Sequence, residues 1–186
     1  MTGKKKNKTI LIIVAAVVLA GAGAYGFMNM ETLEILAKKT TGSESQDLLA
    51  MAKEAEQNGD NDKAMGYYEG YANTHSDTDP GVGTAYAGMG NIYLKQLKYP
   101  KALEYLKKAL DHSNQYVGKQ SQQTADHLFL LGSVYDKQGE IKTALDHYKN
   151  SRDILVKLDG DTEQVDKMIV ALEDFMVNVN LQTSSS

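Results

Sequence analysis

The chain has 186 residues, a formal net charge of −4, 42% hydrophobic and 24% charged residues, no cysteine, no tryptophan and two prolines. That length fits one globular domain plus a small appendage, since domains run to about 100–200 residues. The missing cysteine excludes disulfide frameworks, thiolate nucleophiles and cysteine-based zinc or iron–sulfur sites, and the acid excess argues against a nucleic-acid partner, which would be met by a basic face.

The charge is unevenly spread. Lys4, Lys5, Lys6 and Lys8 put +4 into residues 1–9, which hold no acid, and taking this from the total of −4 leaves −8 for the rest. Residues 10–28 (ILIIVAAVVLAGAGAYGFM) are 19 apolar or small residues without a charge. As a helix rising about 1.5 Å per residue they are about 28 Å long, close to the ~30 Å hydrocarbon thickness of a bilayer. The run reads as a transmembrane helix in a lipid bilayer, with Tyr25 and Phe27 as interfacial anchors. A cleaved secretory signal is the alternative, because Ala20, Ala22 and Ala24 supply small-residue cleavage sites after a charged and then an apolar region. The apolar run continues past those sites, which favours an uncleaved signal anchor. With no cysteine behind it, a bacterial lipoprotein is excluded. Lysine-rich flanks stay cytoplasmic, so residues 1–9 form a cytoplasmic tail and the bulk lies on the far side, which at a bacterial inner membrane is the periplasm. Residues 29–43 are a juxtamembrane segment ending in a short hinge.

From residue 43 onward apolar residues recur at three- and four-residue spacing and nothing alternates with period two, so the soluble part is all-α. Turn residues at 58–61, 75–81, 97–100, 115–121, at Gly139 and at 159–161 cut it into about seven helices of roughly 13 to 18 residues. Ser43 with Gln46, and Asp161 with Gln164, have capping-box spacing; Pro100 suits a first helical turn. Three segments are related: Asp62 to Tyr68 (DKAMGYY), Pro100 to Leu106 (PKALEYL) and Lys142 to Tyr148 (KTALDHY). Twelve residues before their shared Ala64, Ala102 and Ala144 stand the small residues Ala52, Gly90 and Gly132. Three residues after those come Ala55, Tyr93 and Tyr135, and four after the alanines come Tyr68, Leu106 and Tyr148. The spacings are 38 and 42 residues. Small residues at matched points let two antiparallel helices approach to about 8–10 Å, and each pair leaves an apolar face that only the next pair covers, so the pairs stack.

At these residues the sequence resembles the tetratricopeptide repeat family, with units counted from Ser45, Gly83 and Ala125. The 42-residue spacing and a loop over 114–121 look like its kinesin-light-chain variety. The resemblance covers residues 45–158 and departs at Ala55 (aromatic in the family), Leu97 (turn glycine) and Ser151 (alanine). It implies a right-handed superhelical α-solenoid within residues 44–181: repeats at about 45–78, 83–116 and 125–158, then a capping helix over 162–181. Val165, Met168, Ile169, Leu172, Met176 and Val179 form the apolar side of that cap, which such arrays need for solubility. Residues 182–186 are expected to be disordered.

Little in the chain suggests chemistry. Gly81, Gly83 and Gly88 lack the strand and the Gly-Lys-Ser/Thr of a nucleotide loop. Asp77 and Asp79, and Asp159, Asp161 and Glu163, do not complete a calcium loop and read as helix caps. His75, His112, His127 and His147 lie on different elements without the i, i+4 spacing of a helical metal site, and are expected on the surface or partly packed. No enzyme, cofactor or metal is expected.

The resemblance implies binding instead. In that family the first helix of each unit lines a concave groove, and the matching positions here are Gln46, Leu49, Ala50, Lys53 and Glu56; Thr84, Ala87, Gly88, Asn91 and Leu94; and Asp126, Phe129, Leu130, Ser133 and Asp136. The lysine, asparagine and arginine set with which some members clamp a carboxyl terminus is absent, since only Lys53 is a cation at such a position. The groove asparagine of kinesin-light-chain repeats is replaced by Ala87 and Phe129. The candidate site is therefore Leu49, Lys53, Thr84, Ala87, Asn91, Leu94, Asp126, Phe129, Leu130 and Ser133: a mostly apolar groove, wide at its small residues. Its partner would be a peptide or helix of another protein, with the −8 body favouring a basic one. Packing within the array or against residues 30–39 is the second reading for Phe129 and Leu130. The function implied is a membrane-anchored interaction scaffold; a cytosol-facing targeting or import receptor and a secreted binding protein are the alternatives.

Overall fold

Seven α-helices connected by short turns account for almost all of residues 45–184, the part that the computed structural model describes, with side chains from 48 to 179. The chain divides into two compact units, 1–47 and 48–186. The basic tail, the transmembrane helix expected at 10–28, the juxtamembrane segment and Ser43 of the first capping box all lie outside the described residues. Among the described residues no helix is long and apolar enough to cross a membrane.

The helices are α1 (Ser45–Gln57), α2 (Asn61–Thr74), α3 (Pro80–Lys95), α4 (Tyr99–His112), α5 (Gln122–Lys137), α6 (Ile141–Lys157) and α7 (Glu163–Ser184). Their starts follow the caps. Asp79 accepts a hydrogen bond from the Gly81 N–H at 2.8 Å, ahead of a first-turn proline, and Ser121 accepts from Thr124 N–H at 3.2 Å. Asp161 accepts from Glu163 N–H at 2.8 Å. Their ends are equally local. The N–H groups of Asp60, Lys98 and Glu140 reach back to the carbonyls of Ala55, Tyr93 and Tyr135 at 2.8, 2.9 and 2.9 Å, so the first helix of each unit closes in the same way. That closure needs a left-handed residue, and Gly59 (φ +79°), Leu97 (φ +59°) and Gly139 (φ +78°) supply it. Leucine is strained there by roughly 1–2 kcal/mol, and its side chain is 66% exposed. Leu97→Gly should therefore raise stability by about 0.5 kcal/mol after the entropy cost of glycine; a lowered thermal midpoint would contradict this.

Packing explains the repeated spacing of small residues along the chain. A Cβ on Gly90 would lie 2.6 Å from Leu106 Cγ, and one on Gly132 would lie 2.8 Å from the Tyr148 ring. Ala52, Ala102 and Ala144 are wholly buried at the corresponding crossings. Three clusters result, each spanning three consecutive helices. Tyr68, Tyr71, Val82, Met89 and Ile92 join α1, α2 and α3. Leu106, Ala109, Leu131 and Val134 join α3, α4 and α5. Tyr148, Ile154, Leu155, Val165, Ile169 and Leu172 join α5, α6 and α7. The core is thus a row of overlapping clusters, as expected when each pair covers the face of its neighbour. Ser151, where the family has alanine, stays buried by donating its hydroxyl to the Ala125 carbonyl at 2.8 Å.

Two expectations need correction. The loop at 114–121 is shorter than expected, because α4 runs on into one wide π-helical turn, Ser113–Val117, closed by the Gly118 N–H on the Ser113 carbonyl at 2.7 Å. Ser113 is buried and its hydroxyl donates to Leu110, which fixes the widening. The capping helix is also longer than expected. It continues through Ser184, taking in residues 182–184 of the tail expected to be disordered, since no glycine or proline interrupts it. Val165, Ile169 and Leu172 are buried and Met168 and Met176 pack beside them, whereas Val179 is exposed.

Candidate partner-binding face

Neighbouring first helices are fastened to one another by polar side chains. Between α1 and α3 the centre is Glu56. Its Oε1 accepts from Asn91 Nδ2 at 2.6 Å and from Lys95 Nζ at 2.8 Å, and its Oε2 accepts from the Tyr68 hydroxyl at 3.0 Å. Burial, with the Glu56 charge added to it, pushes the Tyr68 phenol well above its ordinary pKa, so it stays a donor. Between α3 and α5, Gln123 Nε2 donates to the Pro80 carbonyl at 2.7 Å and to Thr84 Oγ1 at 3.1 Å. Hydrogen bonds to a charged group contribute about 1.5–3 kcal/mol, so Glu56→Ala should cost about 2 kcal/mol and speed amide exchange across the α1–α3 contact. Exchange unchanged from wild type would sink that role.

The candidate residues fall into three groups. Asn91 and Thr84, expected to meet a ligand, are spent on these inter-unit bonds. Ala87 is buried in the cluster between α3, α4 and α5, not on a groove wall. Gly88 does not widen a groove either, because the Tyr68 ring occupies the space where its Cβ would be. Ala87 thus belongs to the contact with α4 and α5, and Gly88 to the contact with α2. A second group is half-buried. Leu49 packs on the first cluster, Leu94 and Leu130 share the middle one, and Phe129 lies on the last, its ring 5.2 Å from Tyr148. Ser133 donates to the Phe129 carbonyl at 3.0 Å and accepts from the Tyr148 hydroxyl at 3.2 Å. Lys53 and Asp126 form the exposed group. Neighbouring atoms strip water from the Asp126 carboxyl and push its pKa up, against the amide of Gln122 donating from 2.9 Å.

A feature that the histidine spacing hid lies at the junction of the second and third units. His112 and His127 are 7% and 2% exposed, so the expectation of surface or partly packed histidines fails for both. The wide turn folds α4 back onto α5 and brings the two together beside Gly83, where a Cβ would lie 2.8 Å from His112 Nδ1 and 3.4 Å from His127 Cε1. His112 Nε2 donates to the Asp77 carbonyl at 2.7 Å, while its Nδ1 has no hydrogen-bond partner among the described residues. His127 Nδ1 is 3.2 Å from Ser113 Oγ, and its ring also bonds the Ala109 backbone. Burial drives the His127 pKa from 6.5 down to about 4, with the backbone bond opposing and His112 adding a little. Among the described residues no three histidine or carboxylate side chains are grouped to hold a metal ion.

Comparison with known proteins fits this architecture. Residues 81–155 match the family model of the tetratricopeptide repeat. The chain is 26% identical over 154 residues to the Clustered mitochondria protein homolog of Debaryomyces hansenii, an alignment that takes in 78% of this chain but only 11% of that much longer protein. Among solved structures, the N-terminal domain of stress-induced protein-1 from C. elegans superposes with a TM-score of 0.53 at 18% identity, covering 78% of this chain and 99% of that one. BtubC (BKLC) from P. vanneervenii superposes with a TM-score of 0.58 at 16% identity, covering 93% and 80%. The fold is an all-α helical repeat array, and over residues 81–155 it resembles the tetratricopeptide repeat.

Proposed function

We propose, for an array whose residues 81–155 match tetratricopeptide repeats, that this protein is an interaction scaffold held at a membrane by residues 10–28. Residues 1–9 lie on the cytoplasmic side and the array on the other, the periplasm in a Gram-negative cell. Its role is binding, and the partner presents a peptide or helix to the face formed by α1, α3 and α5. The observation that carries this reading is that the three first helices are bridged by Glu56 and Gln123, while Leu94, Phe129 and Leu130 on these helices keep part of their surface open and Lys53 and Asp126 are exposed. A preformed face spends little entropy on ordering when it binds, and half-open apolar side chains are what an amphipathic or extended segment anchors on.

The test is site-specific photo-crosslinking in intact cells. A crosslinker replacing Lys53 or Asp126 should capture one and the same partner, and adding Phe129→Ala should abolish that adduct. The same adduct from a crosslinker at Lys142, on the exposed side of α6, would sink the reading. For the anchor, the full chain should resist alkaline extraction from membranes while a chain starting at residue 29 should be released, and externally added protease should reach the array only after the outer envelope is opened. Release of the full chain by alkali would refute the anchor without touching the binding face.

A further inference from the structure

The acid excess of the array hides one basic strip. Residues 45–184 contain 14 lysines and arginines against 21 aspartates and glutamates, yet Lys95, Lys98, Lys101, Lys107 and Lys108 fall within 14 residues that hold a single acid, Glu104. That window is +4, and the rest of the described residues is −11. Lys95 is committed to Glu56 and Lys108 to Glu104, both at 2.8 Å or less. Lys98 and Lys101 have no carboxylate within ion-pair distance among the described residues; both instead face the Tyr93 ring, at 6.0 and 5.2 Å from its centroid. Lys108 lies 4.9 Å from the Tyr105 centroid, and the Tyr93 and Tyr105 rings are stacked 5.5 Å apart. Lys98 is the N-cap residue of α4, and positions 101, 105 and 108 follow it at spacings of three, four and three residues, along one stripe of the helix. Two stacked rings thus hold three ammonium groups in a row.

We propose that this strip is a second docking surface, specific for a short acidic stretch of a partner protein. The strip is about 15 Å long at ~1.5 Å per residue, the span of about five extended residues at ~3.3 Å each. The tyrosine faces restrain the lysines before binding, so less side-chain freedom is lost when carboxylates arrive. Length and surroundings choose among anions. The charge of Glu69 is felt at Tyr105 on one border, and Glu104 and Asp111 lie along the same helix. A nucleic acid or a flat anionic membrane extends beyond the strip into that acidic surround and is repelled, whereas a segment of five or so residues fits inside it. The inference is independent of the face formed by α1, α3 and α5, which has its own anchors.

The test uses the full chain in detergent micelles and a fluorescein-labelled hexaglutamate peptide, read by fluorescence anisotropy at about 10 mM salt, where the Debye length is about 30 Å, and again at about 150 mM. Saturable binding that weakens with salt is expected. Lys98→Glu with Lys101→Glu should weaken it at least about tenfold, while Lys142→Glu with Lys157→Glu, which removes the same charge elsewhere on the exposed surface, should leave it within about twofold. Unchanged circular dichroism shows that the charge-reversed chain still folds. Equal loss in both pairs would reduce the effect to net charge and overturn the site. Tighter binding to phosphatidylglycerol vesicles or to a short RNA than to the peptide would also overturn it.

Discussion

Tyr148→Ala is expected to lower the unfolding free energy by about 3–5 kcal/mol, the range for removing a large buried ring from a core. The ring is 0% exposed, leans on Phe129 and fills the space that Gly132 leaves open opposite it. Nothing nearby can collapse into the gap, because the small residue that made room for tyrosine is itself part of a helix crossing. Domains have about 5–15 kcal/mol in total, so this one change removes a large share. In a row of clusters the damage should also stay local. Urea titration would give the loss, and amide exchange should quicken in α5, α6 and α7 while α1 and α2 keep their protection. A loss below about 1 kcal/mol, or uniform loss of protection, would contradict this account of the core. Tyr148→Phe keeps the ring and loses only the bond to Ser133, so it should cost about 1 kcal/mol.

Acid should destabilise the array well before its carboxylates are protonated. His127 takes up its proton near pH 6.5 when unfolded and near pH 4 when folded. Because the folded pKa is the lower one, the stabilisation is complete above about pH 6.5, declines as the pH falls through the window, and for this group levels off below about pH 4. At 1.36 kcal/mol per pKa unit the loss amounts to about 3 kcal/mol. His147, lowered mainly by burial, acts in the same direction. The His127 ring is 2% exposed, so the added charge would have almost no water to solvate it. Urea midpoints at about pH 7.5 and 4.5 should therefore differ strongly in the wild type and much less in His127→Gln, which retains one hydrogen-bonding amide but cannot take up the proton. An equal drop in both proteins would rule out His127 as the source.

How much was legible in the chain differed by feature. The helix caps at Asp79 and Asp161 and the turn at Gly139 act within a few residues, so local spacing revealed them. The small residues opposite Leu106 and Tyr148 were legible because their spacing repeats. Leu97 showed as a departure from the turn glycine, and it adopts the same left-handed backbone because the helix closure around it is set by both neighbours. The surroundings of the candidate residues were less legible. Lys53 and Asp126 are exposed, while Ala87 is in the core and Asn91 and Thr84 are in bonds between units, since a pattern taken one helix at a time cannot say which neighbour takes which face.

What the sequence determined by itself was the repeat: helices, their order, and the pairs of residues at which each two-helix unit closes. Those depend on contacts inside one two-helix unit, such as Gly90 with Leu106 and Gly132 with Tyr148, and on side-chain size, both written along the chain. Only the tertiary structure decided what lies between units. Glu56 meets Asn91 across 35 residues, and His112 meets His127 across a turn one residue too wide for an α-helix. Both outcomes follow from the angle at which one helix pair stacks on the next. That angle is the joint result of many buried contacts and leaves no periodic trace in any single helix.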